Sequence, residues 1–338
     1  MKEEYKHPRT RLADVVPLPA PFSVYVDPCG CCNFKCRFCP TNNSEYNVEE
    51  RHKMMHLTVF EKITNDLSLF EEQVKVINLF GFGEPLLNPC VPYMVDTLKK
   101  LELCREVRLY TNGSLLTPVL NERLITSGID MIRISVEALS SEGYKDICGI
   151  TLDYNVFISN IKDLYIRSRG TNTKISAKII SSTLTTNQDL EMFTDIFAPI
   201  SDHHFVEAEE NYWIGYNAKN SGLLLPGAIT KTVDYTDGNC SSICSYPLTD
   251  LMIFSNGKVG VCCADWRMDT VLGDVLNETL QDIWTGNKLY EFRMKQISGQ
   301  RKELPSCCAC KRISPDSIDN DAKIILCKLQ DFTYPQSI

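Results

Sequence analysis

The sequence predicts an α/β protein: a partial (β/α)6 TIM-like barrel followed by a smaller C-terminal segment made of a β-hairpin and short helices. Three observations predict it. Between residues 22 and 210, strand-length apolar or alternating runs are separated by helix-length amphipathic stretches, about six times over. The turn and cap residues fall between those runs, as parallel strands with right-handed crossovers require. Past residue 211 the rhythm stops, and an Asn-Gly turn signal and a cysteine-rich tail take its place.

Residues 1–21 carry Pro8, Pro17, Pro19 and Pro21 and are expected to form an irregular arm. Ser23–Asp27 alternates Val24 and Val26 with polar neighbours and is the first strand, leading into a cysteine loop. Thr58 and Glu61 have capping-box spacing, ahead of Phe60, Ile63, Leu67 and Phe70 at helical intervals. Lys75–Phe80 is the second strand and runs into Gly81-Phe-Gly-Glu-Pro85. A helix over Val91–Leu103 precedes the third strand, Glu106–Tyr110, which ends at Thr111-Asn-Gly113. Thr117 and Pro118 suit the N-cap and first position of a helix closed by Gly128. Met131–Val136 is the fourth strand. A helix over Tyr154–Ser168 stops at Gly170, Lys174–Ile180 is the fifth strand, and a helix follows Asn187 before the sixth strand, Phe205–Glu207.

Residues 211–240 are expected to form a linker or lid, and 241–338 a second, smaller domain. In it, Leu251–Ser255 and Lys258–Cys262 flank Asn256-Gly257 as a hairpin. Thr279–Trp284 and Leu289–Ile297 read as short helices.

Composition narrows the function classes. The chain has 338 residues, 43% hydrophobic and 23% charged, as a globular protein does. Its net charge of −8 argues against a nucleic-acid surface. No apolar run is long enough for a membrane span, and the N-terminus has no secretory h-region. A cytoplasmic location is expected. Sixteen cysteines without an export signal point to metal binding rather than disulfides.

The densest signal is Cys29-Gly-Cys-Cys-Asn-Phe-Lys-Cys-Arg-Phe-Cys-Pro40, in which Cys32, Cys36 and Cys39 stand three and two residues apart. Three thiolates at this spacing suit three irons of a [4Fe–4S] cube, leaving the fourth iron open. A zinc knuckle is the alternative, with Cys29 or Cys31 as its fourth ligand.

With Phe38 just before the last cysteine, this loop resembles the signature of radical S-adenosylmethionine (SAM) enzymes. The resemblance implies that SAM chelates the fourth iron and is cleaved to methionine and a 5′-deoxyadenosyl radical. Gly81-Phe-Gly-Glu-Pro85 resembles the family's Gly-Gly-Glu-Pro motif and implies that Gly81, Gly83 and Glu84 meet the methionine amino group. By the same likeness Asn112, Ser135 and Glu137 line the cofactor, the last two facing the ribose. Lys178 is a candidate for the methionine carboxylate. Asn187 is a candidate for the adenosine end or for a helix N-cap. Cys148 is a candidate hydrogen-atom donor, against a plain packing role.

Cys244, Cys262, Cys307 and Cys310, with gaps of 17, 44 and 2 residues, form a second set. With Leu272-Gly-Asp-Val275, Trp284 and Arg293 they resemble a SPASM domain, or its shortened twitch form with one auxiliary [4Fe–4S] cluster. A structural zinc site is the alternative. Cys262 is preferred to Cys263, and Cys307 to Cys308.

The resemblance implies an oxidoreductase acting on a sugar or cyclitol secondary alcohol, with the auxiliary cluster as electron acceptor. Its partners would be a small-molecule substrate and a donor such as flavodoxin or ferredoxin. A peptide maturase and a thiol-dependent epimerase are the rival expectations, and a molybdopterin-type cyclase is disfavoured because its auxiliary cluster uses three cysteines. Candidate substrate groups are Glu207, Glu209, Trp213, Tyr216, Asp265 and Arg267.

Overall fold

The computed structural model describes residues 10–42, 53–207, 243–308, 310 and 318–332. The linker or lid at 211–240 and three candidate substrate groups, Glu209, Trp213 and Tyr216, lie outside them. The strands are β1 (Ser23–Val26), β2 (Val74–Leu79), β3 (Cys104–Thr111), β4 (Met131–Val136), β5 (Lys174–Ile180), β6 (His203–Glu207), β7 (Asp250–Ile253), β8 (Lys258–Gly260) and β9 (Val271–Asp274). They form one sheet in the order β6-β5-β4-β3-β2-β1-β7-β8-β9. From β1 to β6 every pairing is parallel, with neighbours in chain order, so each connection crosses back over the same face.

The helices that make those crossings are α2 (Leu57–Leu67), α3 (Val91–Lys100), α4 (Pro118–Thr126), α5 (Ser141–Cys148), α6 (Tyr154–Ser168) and α7 (Asn187–Phe197); a short α1 (Leu12–Val15) precedes them. They bury one face of the sheet, where Ile132, Ile134, Val136, Ile175, Ala177 and Ile179 are shut from solvent. The alternate residues, Arg108, Tyr110, Arg133, Ser135 and Lys178, lie on the opposite, open face and are half-buried. A one-sided helical layer explains the alternation of strands that would otherwise read as continuous apolar runs.

The segment from β7 onward is not a separate sheet. β7 pairs in parallel with β1, Ser23 against Asp250 and Val26 against Ile253. The Asn-Gly hairpin then turns to β8, with Gly257 in the left-handed region at φ 88°. Helix α8 (Tyr246–Thr249) leads into β7, and α9 (Leu280–Thr285), α10 (Asn287–Ile297) and α11 (Ala322–Asp331) come after β9. The Trp284 indole donates to the Leu18 carbonyl at 2.9 Å, and the Leu280 amide to Asp66 at 3.1 Å. Buried Arg293 stacks on Trp284 and donates to Pro247 and Trp284 carbonyls at 2.8 and 3.1 Å. The expected irregular arm is likewise bound in: Ala13, Val16, Leu18 and Ala20 are core residues.

Two caps differ from the sequence reading. His56, not Thr58, caps α2, its ring nitrogen accepting the Thr58 amide. Thr186, not Asn187, caps α7 through a box with Asp189.

Candidate functional site

The C-terminal ends of the strands hold the chemistry. Past β1, buried Asp27 accepts the Cys29 amide at 3.2 Å and opens the cysteine loop. Three supports clamp that loop. Asn88 donates its side-chain amide to the Pro28 and Met55 carbonyls at 2.9 and 3.1 Å. The Lys35 and Arg37 amides donate to the Cys148 and Ile147 carbonyls at the end of α5, at 2.9 and 3.1 Å. On the third side runs the strap 81–85, whose Glu84 amide donates to the Cys31 carbonyl at 2.7 Å.

The strap glycines are explained by this contact. A Cβ on Gly83 would lie 2.0 Å from the Cys29 carbonyl oxygen and 2.2 Å from that of Cys31. One on Gly81 would lie 2.0 Å from Asp27 Cγ. At Gly83 backbone meets backbone, and at Gly81 backbone meets the Asp27 side chain, so neither position has room for a side chain.

Glu84 is buried and commits both carboxylate oxygens internally. One accepts the Thr111 hydroxyl (2.6 Å) and the Leu86 amide (3.0 Å), the other the Asn112 amide (2.7 Å). Burial raises its pKa against the pull of these bonds. Glu84 therefore braces the ends of β2 and β3 together. Asn112 extends the brace: its side-chain nitrogen donates to Asn33 Oδ1 at 2.9 Å and lies 4.0 Å from Cys32 Sγ. Ser114 closes the network, donating its amide and hydroxyl to Asn112 Oδ1 at 3.0 and 2.7 Å.

Within the loop Cys32 and Cys36 each interact electrostatically with Cys39. Burial, with Glu84 and Cys39 nearby, pushes the Cys32 thiol up to about 12. Cys36 is raised by a hydrogen bond with Cys148, by burial and by Glu137. Burial raises Cys39, and the neighbouring Glu137 adds to it. Cys29 is buried instead against the loop's own backbone, its thiol 3.6 Å from the Cys31 carbonyl. Glu137 is buried with its Oε2 unpartnered among the described residues. Burial raises its pKa, Lys178 lowers it and Glu207 raises it again. Ser135 and Lys178 sit side by side on the open face, with Lys178 bonded to Glu207 at 2.6 Å. Asn187 is exposed at the start of α7.

Three thiols, a glycine strap and an orphaned carboxylate oxygen beside them fit a three-cysteine [4Fe–4S] cube completed by SAM: soft donors for iron, and an acceptor for a hydroxyl. Cys148 does not line the open face. It is wholly buried behind Cys36, so no substrate carbon reaches its thiol in this arrangement.

Members of the second cysteine set also interact pairwise. Cys262 and Cys307 each feel Cys244, and Cys307 feels Cys310. Arg301 donates to the Cys310 carbonyl at 3.1 Å. Of the other doublet members, Cys263 packs with Phe82, Met252, Phe254 and Trp266 and its side chain is hydrogen-bonded to that of Cys262, while exposed Cys308 donates its thiol to the Pro305 carbonyl. Asp265 is spent on the amides of Asp269 and Thr270, both at 3.0 Å, and Arg267 stacks on Trp266.

Sequence reading missed Asn33 and Ser114 at the loop and Arg108, Tyr110 and Arg133 on the open face. The alternation of Arg133 and Ser135 with Ile132 and Ile134 was a usable signal.

Residues 26–176 match the family described as the Radical SAM superfamily, and residues 244–311 the SPASM family, described as an iron-sulfur cluster-binding domain. The chain thus carries a radical SAM domain followed by a SPASM domain. Its cofactors are accordingly a [4Fe–4S] cluster, SAM and auxiliary iron–sulfur centre chemistry in the SPASM domain. Among sequence relatives, a probable GTP 3′,8-cyclase of Methanococcus maripaludis is 34% identical over 116 residues, 34% of this chain and 36% of the relative. The GTP 3′,8-cyclase of Aquifex aeolicus is 27% identical over 152 residues, 44% and 45% of the two chains. These alignments span less than half of the relatives' length.

The fold is shared with BtrN in complex with AdoMet and 2-DOIA (TM-score 0.56, 17% identity, 89% of this chain and 98% of that one). It is shared also with Streptococcus suis SuiB bound to the precursor peptide SuiA (TM-score 0.61, 17% identity, 83% and 69%). At such identities these likenesses concern architecture. The expectation of a sugar or cyclitol dehydrogenase is corrected by the sequence relatives, whose names are those of GTP cyclases. No described helix is long and apolar enough to cross a membrane.

Proposed function

We propose that this radical SAM enzyme works on a small molecule held against the open face of the sheet, with SAM seated between the cysteine loop and the ends of β2 to β5. The observation that carries the reading is the gathering of Cys32, Cys36 and Cys39 beside the unpartnered oxygen of Glu137. A cluster held there would supply the electron for SAM cleavage, so 5′-deoxyadenosine is the product to measure. The chain's own residues position it. Glu84 and Asn112 fix the loop against β3, the strap 81–83 offers backbone to the methionine end, and Glu137 accepts a ribose hydroxyl. Ser135 and Lys178 lie next along the same face, and Asn187 is the outermost candidate. Cys244, Cys262, Cys307 and Cys310 hold the auxiliary cluster. The barrel spans 22–210 and the auxiliary segment 241–338. A flavodoxin or ferredoxin is the reductant class proposed.

GTP is the first substrate to try, because curated relatives are named GTP 3′,8-cyclase. The test is anaerobic reconstitution followed by an iron count and a 5′-deoxyadenosine assay, with and without GTP. Two cubes predict about eight irons per chain, falling to about four in the Cys32→Ala/Cys36→Ala/Cys39→Ala variant. Absence of 5′-deoxyadenosine from iron-loaded wild type under strong reductant would sink the reading. A GTP-dependent rise in its yield would support the cyclase-like substrate, and no change would remove GTP.

A further inference from the structure

Successive strands place cationic side chains on the open face, and their pairing differs. Arg108 on β3 is bonded through Nε to Glu106 at 2.8 Å, and Lys178 on β5 through Nζ to Glu207 at 2.6 Å. Arg133, on β4 between them, has no carboxylate partner among the described residues. Its guanidinium stands between two rings, 5.2 Å from the Tyr110 centroid and 5.3 Å from that of Phe205. Its Nε is buried and makes no hydrogen bond.

The rings attract the cation but accept none of its N–H bonds, so its hydrogen-bonding capacity stays unspent. A half-buried charge in that condition is costly unless something completes it. Ring contacts on either side also restrict the plane of the fork, and a planar fork matches phosphate or carboxylate bidentately. Register places it well. Arg133 pairs with Tyr110 on β3 and Ser176 on β5, and lies four residues before Glu137 on the same face. At strand rise that is about 13 Å, the span of a small metabolite.

We propose that Arg133 is the substrate's anion anchor, binding a phosphate or carboxylate group of the molecule that reacts on this face. The inference rests on the proposed function only in taking the open face as the substrate's. It assigns the substrate class as an oxyanion-bearing metabolite rather than a neutral one.

The test uses reconstituted, SAM-loaded enzyme and two probes, inorganic pyrophosphate and succinate, with binding read by calorimetry. At least one probe should bind wild type, tenfold or more weakly to Arg133→Gln, and with intermediate affinity to Arg133→Lys. Arg105→Gln, which removes an exposed cation from β3, should leave the affinity within twofold. A response to pyrophosphate alone assigns phosphate, and a response to succinate alone assigns carboxylate. Should Arg133→Gln fail to retain iron, Arg133→Met, which keeps the stem between the rings, carries the same comparison. Binding of neither probe to wild type, or binding indifferent to the loss of Arg133, overturns the proposal. Iron content and substrate-free 5′-deoxyadenosine formation report the radical reading separately. If wild type makes none while oxyanion binding still depends on Arg133, the radical reading fails and the anchor stands.

Discussion

Gly83→Ala is the sharpest test of how the cysteine loop is held. The added methyl carbon would sit 2.0 and 2.2 Å from the carbonyl oxygens of Cys29 and Cys31, where real contacts are rarely under 3.0 Å. Strap and loop must therefore part by about 1 Å, since both obstacles are backbone and cannot rotate aside. That displacement stretches the 2.7 Å bond from the Glu84 amide to Cys31 beyond useful length. Overpacking and one lost buried bond together cost about 2–5 kcal/mol, concentrated at the loop. The expected variant keeps the wild-type far-UV spectrum and its auxiliary cluster. It falls toward about four irons per chain. Its 5′-deoxyadenosine yield drops about a hundredfold, as misplacement of reacting groups by an ångström entails. Anaerobic iron analysis and product chromatography measure both. Retention of eight irons with activity within twofold of wild type would refute the claim that the glycine is there to let the strap touch the loop.

Other outcomes follow from the same geometry. Glu84→Gln replaces one of two accepting oxygens with a donor facing buried donors, costing about 1–3 kcal/mol and several degrees in Tm; a melting scan showing no loss would count against the brace. Cys262→Ala should fall to about four irons while Cys263→Ala and Cys308→Ala stay near eight; the reverse order would reassign the doublets. Asp202→Asn tests linkage. Burial pushes the Asp202 carboxyl up, but bonds from Arg169 and the Ile175 amide outweigh it and hold it below its usual value. A carboxylate depressed in the folded state stabilises above its unfolded pKa and loses that contribution as pH falls through the folded one. Wild type should therefore melt higher than Asp202→Asn at pH 7, with the gap closing below about pH 4; a gap that widens in acid would reverse the assignment.

Local patterns exposed the barrel well. β4 and β5 were readable to the residue, because a one-sided helical layer writes its alternation directly into Met131–Val136 and Lys174–Ile180. The glycines of the strap were visible too, though their reason, contact with the Cys29 and Cys31 carbonyls, depends on two loops far apart in sequence. Thr186 and Asp189 had capping-box spacing and were passed over for Asn187, whereas His56 as a cap runs against N-cap preference and gave little warning. Arg133 could be placed on its face from the sequence, but its lack of a counterion could not. That depends on Glu106 and Glu207 having turned to other cations on flanking strands. The pairing of β7 with β1 joins residues 227 positions apart, and no local signal announces it.

That pairing means the C-terminal segment is a wall of the barrel rather than an appended module. A chain cut before residue 243 would leave β1 as an open edge with unpaired peptide groups, an invitation to intermolecular pairing. The Leu18 carbonyl would lose the Trp284 indole, and Phe82 on the strap would lose the packing of Phe254 and Trp266. Dissection into halves should therefore yield an aggregating fragment instead of a working barrel. Transplanting the auxiliary segment onto another enzyme of the superfamily would need the first strand and the strap to travel with it.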